Sequence, residues 1–134
     1  MIFSFTVPGP PHGQGRPRFA RMPRGVRTYK APKDVSYERW IYAHALAARP
    51  RGWEPLTGPV ALTVEVYQRV SKKQASRWSV TKPDLSNTIK AIEDALLGLG
   101  YVDDRQVSSI QACKWVVGKD AEPRVYVKVE AEQE

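Results

Sequence analysis

Alternation opens the chain: over residues 2–7, Phe3, Phe5 and Val7 fall on one side and Ile2, Ser4 and Thr6 on the other. That is the period of two expected of a half-buried strand, and Pro8-Gly9-Pro10-Pro11 stops it. Residues 12–33 lose apolar periodicity and read as a loop. Tyr37, Trp40, Ile41, His44 and Ala48 then recur at helical spacing, with Pro32 ahead of them and Pro50 and Gly52 behind. They predict an amphipathic helix over residues 33–49 that packs His44 against the core. The clearest alternation follows, with Val60, Leu62, Val64 and Val66 opposed to Ala61, Thr63, Glu65 and Tyr67, and predicts a second strand. Residues 69–82 read as a further exposed loop. Pro83 and Asp84 mark a helix start and Gly98 and Gly100 its stop. On that helix Leu85, Ile89, Ile92, Leu96 and Leu99 fall in one apolar arc, while Asn87, Lys90 and Asp94 share the opposite side. Residues 107–117 and 124–130, joined by the turn signal Gly118-Lys119-Asp120, predict two final strands paired as a hairpin. Cys113 then sits within a strand as an inert buried thiol, and Glu130, Glu132 and Glu134 form a solvated tail.

The order β-α-β-α-β-β predicts an α/β (α+β) fold, a single mixed sheet with two helices packed on it. A length of 134 residues suits one domain, residues 1–134. Hydrophobic residues at 42% and charged residues at 26% exclude wholesale disorder. No apolar run approaches the roughly 18 residues of a membrane span, and no secretory leader is visible, so a cytosolic protein is expected. One cysteine and two histidines exclude both an internal disulfide and a structural zinc site of the usual four N/S ligands. Any metal would have to be bound by oxygen.

Charge sharpens the picture. Lys and Arg number 21 against 14 Asp and Glu, a net +7 that suits a polyanionic partner such as nucleic acid. The excess lies in the two loops. Arg16, Arg18, Arg21, Arg24 and Arg27, and then Lys72, Lys73, Arg77 and Lys82, stand in acid-free stretches, and they are the candidate DNA-binding residues. Trp78 has two readings, stacking on an unpaired base or anchoring its loop to the body.

In so basic a chain, Asp84, Asp94, Asp103 and Asp104 gather within a short span. Clustered carboxylates repel one another unless a cation sits among them, and Mg²⁺ takes oxygen ligands of this kind. If the second helix and the following strand begin at the same end of the sheet, Asp84 converges with Asp103 or Asp104. Carboxylates holding Mg²⁺ between basic loops suit phosphodiester hydrolysis, with Lys90 stabilising the transition-state charge. Each residue also has a plainer reading. Asp84 is a good N-cap, Lys90 and Asp94 are spaced for a surface ion pair, and Asp103 and Asp104 suit a turn from which at most one points inward.

The block Lys82-Pro83-Asp84-Leu85-Ser86-Asn87, followed by Lys90, by Asp94-Ala95-Leu96, and by Asp103-Asp104-Arg105-Gln106, resembles the RusA family of Holliday junction resolvases. Phe5 to Phe19, with Pro8-Gly9-Pro10-Pro11 and Gly15-Arg16-Pro17-Arg18-Phe19, is similar to the first strand and loop of phage-encoded members. The resemblance implies a RusA-like fold in a homodimeric, Mg²⁺-dependent endonuclease, with Mn²⁺ as a substitute. Such an enzyme nicks four-way or branched DNA symmetrically in recombination and repair, here in a bacterial host and of phage or prophage origin. It places the catalytic roles on Asp84, Lys90 and Asp104, with Asp103 and Asp94 as further metal ligands. Ser86 stands where the family carries a second catalytic aspartate. The alternative is therefore a branched-DNA-binding protein of the same fold whose cleavage is weakened or lost. A structural or dimerisation module is a third class.

Overall fold

The computed structural model describes residues 2–70 and 76–133. Strands β1 (Ile2–Pro8), β2 (Arg18–Met22) and β3 (Gly25–Tyr29) precede helix α1 (Pro32–Ala48); β4 (Val60–Gln68), helix α2 (Leu85–Leu96), a 3-10 turn (Asp104–Gln106), β5 (Val107–Val116) and β6 (Arg124–Ala131) follow. Four strands form one mixed sheet in the order β1-β6-β4-β5. β4 is parallel to β5 and antiparallel to β6, which is antiparallel to β1.

Alternation decides which side of each strand is buried. Phe3, Phe5 and Val7 of β1, Val60 to Val66 of β4 at every second position, and Val125, Val127 and Val129 of β6 share one core with Tyr37, Ile41 and Ala45 of α1 and Ala91, Ile92, Ala95 and Leu96 of α2. Each Val, Leu, Ile or Phe among them stabilises the fold by about 1.5–3 kcal/mol on burial. Both helices thus cover the same face of the sheet. On the other face, the register aligns Thr63, Glu65 and Tyr67 with Gln111, Cys113 and Trp115 on one side and with Lys128, Tyr126 and Arg124 on the other.

Four expectations about the strands and the tail are corrected. β5 and β6 are not a hairpin, because β6 inserts between β1 and β4. Val125, Val127 and Val129 are fully buried in this central position, whereas β5, exposed over much of its first half, takes the edge. Within residues 12–33, β2 and β3 pair as a hairpin across the turn at Pro23 and Arg24. Its residues are almost all exposed, so no buried face imposes a hydrophobic alternation. Glu130 belongs to β6, and the Glu132 carboxylate accepts from the Ser109 hydroxyl while its amide donates to the Pro59 carbonyl at 2.9 Å, so these two are not a solvated tail; Glu134 lies outside the described residues. Cys113 is only half-buried, on the uncovered face; burial raises its thiol pKa, and Glu65 adds to the shift.

On α1 the buried stripe is Asp34, Tyr37, Ile41 and Ala45. Trp40 and His44 lie beside it rather than in the core. The Trp40 indole donates to the Pro8 carbonyl at 2.8 Å, and His44 Nδ1 bonds the Trp40 carbonyl at 2.9 Å, which ties the end of β1 to the helix. Aromatic side chains with a polar nitrogen suit such a border. Trp78 anchors its loop, stacking on Trp115 with ring centroids 4.2 Å apart and with the Arg77 guanidinium over both rings.

Candidate active site

Asp84 is the N-cap residue of α2, in extended conformation, but its side chain makes no capping bond. The capping reading therefore fails, and the carboxylate remains available beside the positive end of the helix dipole. It lines a depression of about 460 Å³ with His12, Gln14, Lys82 and Asn87. Ser86 and Asn87 lie exposed on the first turn. The loop that walls this depression is locked to α2, for the Gln14 amide donates to the Asn87 carbonyl at 3.0 Å. A Cβ on Gly13 would lie 2.9 Å from Pro83 Cβ and 3.0 Å from Asn87 Cβ. Gly13→Ala should push the loop away and cost about 1–3 kcal/mol, read as a lower urea midpoint with a parallel fall in activity. An unchanged midpoint would mean that the loop yields freely.

At the start of β5, Asp103 and Gln106 form a reciprocal capping box around the 3-10 turn. The Asp103 carboxylate accepts from the Arg105 amide at 2.9 Å and from its guanidinium at 3.0 Å. These bonds pull its pKa down to about 2. Gln106 Oε1 accepts from the Asp103 amide at 2.7 Å, and its Nε2 donates to the Leu56 carbonyl at 2.7 Å and the Gly58 carbonyl at 2.9 Å. The glutamine thus holds the double-aspartate turn against the approach to β4, and Asp104 is left exposed. Its charge is felt at Glu93 of α2. Burial first, and then the negative charges of Asp104 and Asp94, raise the Glu93 pKa, with Lys90 opposing.

The two aspartates do not converge within one chain. Gln68 and Lys114, near the C-terminal ends of β4 and β5, bond the carbonyls of Lys82 and Pro83 at the start of α2. Tyr101, just ahead of β5, donates to the Glu93 carbonyl at 2.8 Å near the end of α2. A helix that connects two parallel strands must run back along them, so its start and the start of the next strand lie at opposite ends of the sheet. Asp84 and Glu93 are nine positions apart, about 13.5 Å along the axis. Lys90 stands exposed between them. Asp94 is not paired with Lys90; its carboxylate takes Lys30, 3.1 Å away, which also holds Glu38 at 2.7 Å. That cation clamps the base of the β2–β3 hairpin to both helices.

The hairpin carries Arg18, Arg21, Arg24 and Arg27 on largely exposed backbone. Arg16 and Arg18, with Lys33, line a second depression of about 630 Å³. Lys82 flanks Asp84, and Arg77 lies over the tryptophan pair. Lys72 and Lys73 lie outside the described residues. Sequence reasoning passed over four residues that shape the site. Glu93 and Gln106 were within the motif, and the spacing Asp103-x-x-Gln106 is itself a capping-box signal. His12 and Asp34, which bond each other at 2.6 Å, gave no signal, because they come together only in the fold.

Among the described residues no three His, Cys, Asp or Glu side chains are grouped to hold a metal ion. The donors are nonetheless hard oxygens, and the repulsion between the Glu93 and Asp104 charges is of the kind that a divalent cation relieves. The donor set therefore fits such an ion with part of its shell supplied from elsewhere. No helix is long and apolar enough to cross a membrane among the described residues. The family model Endodeoxyribonuclease RusA matches residues 8–130. The chain is also similar to the uncharacterized protein YqaN of Bacillus subtilis (strain 168), 34% identical over 137 aligned positions that cover 93% of each chain. A family model that matches nearly the whole chain places the protein in the RusA family, endodeoxyribonucleases that require a divalent metal and act on branched DNA junctions.

Proposed function

We propose that this protein is a Mg²⁺-dependent endodeoxyribonuclease that resolves Holliday junctions by paired symmetric nicks, acting as a homodimer in DNA recombination and repair. The observation that carries this reading is the placement of Asp84 and Asp104 at opposite ends of α2. A cation held by both needs two chains, with Asp84 of one opposite Asp104 of the partner subunit. A two-fold arrangement makes two such sites at once, matched to the two-fold symmetry of a four-way junction. The same geometry explains why one chain alone gathers no metal cluster among its described residues.

In this assembly Asp84 and Asp104 hold Mg²⁺, for which Mn²⁺ substitutes, and Glu93 adds charge beside Asp104. When bound, the ion polarises the scissile phosphate and lowers the pKa of a bound water. Lys90, midway along the exposed ridge, faces the negative charge that develops on the phosphate. Asp94 and Asp103 support the site through Lys30 and Arg105. The arginines of the hairpin and the basic groups at Lys82 and Arg77 grip the DNA arms, and Lys72 and Lys73, from the same acid-free stretch of sequence as Arg77 and Lys82, are assigned to the same task. The setting that fits is the cytoplasm of a bacterial host, with phage or prophage origin.

Incubating the protein with a four-way junction with and without Mg²⁺ tests the reading: paired nicks that require the metal are expected. Tight binding without any nick would instead identify a non-catalytic junction-binding protein. Ser86→Asp restores a carboxylate beside Asp84 and should lower the Mg²⁺ needed for half-maximal nicking; an unchanged requirement puts residue 86 outside the metal shell. Arg18→Ala with Arg21→Ala should flatten the dependence of log K on log salt by about 0.9 for each phosphate no longer neutralised. An unchanged slope would remove the hairpin from the DNA interface.

A further inference from the structure

We infer that His12, oriented by Asp34, is the general acid that protonates the leaving oxygen when the nuclease cuts. The inference rests on the nuclease reading above and adds a residue to it. His12 lies on the wall shared by two depressions. One is cationic, lined by Arg16, Arg18 and Lys33; the other holds Asp84, Lys82 and Asn87. A phosphodiester backbone gripped by the first and cut at the second passes the imidazole.

The ring is held as a proton donor requires. Asp34, in the first turn of α1, is 7% exposed, and its Oδ1 is 2.6 Å from His12 Nε2. Its Oδ2 accepts the Gly15 amide at 3.2 Å, so both carboxylate oxygens are committed and the aspartate cannot turn away. The Tyr37 ring meets the imidazole edge-on, with centroids 5.5 Å apart. A buried carboxylate on one ring nitrogen fixes the tautomer and the orientation of the ring, leaving the other nitrogen to exchange the proton. Nδ1 has no hydrogen-bond partner among the described residues, and the side chain is 33% exposed. No residue assigned so far supplies a proton to the departing oxygen: Lys90 answers phosphate charge, and the carboxylates hold the cation.

In the step, the oxygen of water bonds to phosphorus and gives up its proton to solvent. The bond from phosphorus to the leaving ester oxygen breaks, and that oxygen takes the proton from His12 Nδ1. The products are a phosphomonoester end and a hydroxyl end. Neutral His12, with Nε2–H still donated to Asp34, regains its proton from solvent.

The test uses the full-length protein, Mg²⁺ and a four-way junction whose nick has been mapped, made with either oxygen or sulfur at the leaving position. A thiolate departs without a proton. His12→Gln should nick the oxygen junction about 10²–10⁴-fold more slowly, bind it with unchanged affinity, and cut the sulfur junction within a few-fold of the unsubstituted protein. Should His12→Gln prove unstable, His12→Gly with free imidazole added should recover nicking. His44→Gln should behave as the unsubstituted protein. Nitrogen NMR of the two histidines should show His12 protonated at Nε2, and lose that preference in Asp34→Asn. Equal slowing of His12→Gln on both junctions, or undiminished nicking of the oxygen junction, overturns the assignment and leaves the nuclease intact. Absence of nicking by the unsubstituted protein overturns both.

Discussion

Asp84→Asn and Asp104→Asn proteins, each inactive alone, should recover nicking to about a quarter of the unsubstituted level when refolded together in equal amounts. Each substitution alone removes a carboxylate from both sites of the proposed dimer, and nicking should fall by more than about 100-fold, the upper end for loss of a partner that merely supports a metal ligand. Junction binding should persist, because the arginines of the hairpin are untouched. Random pairing makes half of the dimers mixed, and in a mixed dimer one site carries both substitutions while the other carries neither. Such a dimer nicks one strand and does not complete the paired cut, so nicked junctions should accumulate. The reason lies in the parallel pairing of β4 with β5, which sets Asp84 and Asp104 at opposite ends of α2. A mixture as inactive as its parents would mean that Asp84 and Asp104 do not share one ion across two chains. Full activity of either single variant would remove that residue from the site.

Tyr101→Ala should cost about 3–5 kcal/mol, a large share of the roughly 5–15 kcal/mol that keeps a domain folded. The side chain is fully buried, its hydroxyl donates to the Glu93 carbonyl at 2.8 Å, and its backbone bridges both Leu56 and Leu97. It therefore joins the end of α2, the approach to β4 and the Asp103–Asp104 turn at one point. Tyr101→Phe keeps the ring and loses only the hydrogen bond, for about 1 kcal/mol. Urea unfolding monitored by fluorescence measures both, with the slope of the transition unchanged if only stability moves. A cost below about 1 kcal/mol for the alanine variant would show that the aspartate turn is held by Gln106 without help from the core.

The covered and uncovered faces of β1, β4 and β6 were legible from alternation alone, because a side-chain period of two reports solvent on one face and interior on the other. α2 was legible from its apolar arc and its flanking Asp84 and glycines, and the polar ridge of Asn87, Lys90 and Asp94 followed from the same periodicity. α1 was legible in extent and less so in facing, since Trp40 and His44 share helical spacing with the core but satisfy ring nitrogens on carbonyl groups at its rim. The β2–β3 hairpin left no trace, having no buried face to write a pattern.

By itself, then, the sequence determined the elements, their buried sides, the excess of positive charge and the motif that joins Asp84 to Gln106. Only the tertiary structure decided that β5 runs parallel to β4 instead of pairing with β6, and hence which carboxylates can meet. It also decided that Asp94 belongs to Lys30 and that His12 meets Asp34. Periodicity is a property of one segment and its own exposure. The choice of neighbour depends on which arrangement buries the most apolar surface across all segments at once, and no single segment records it.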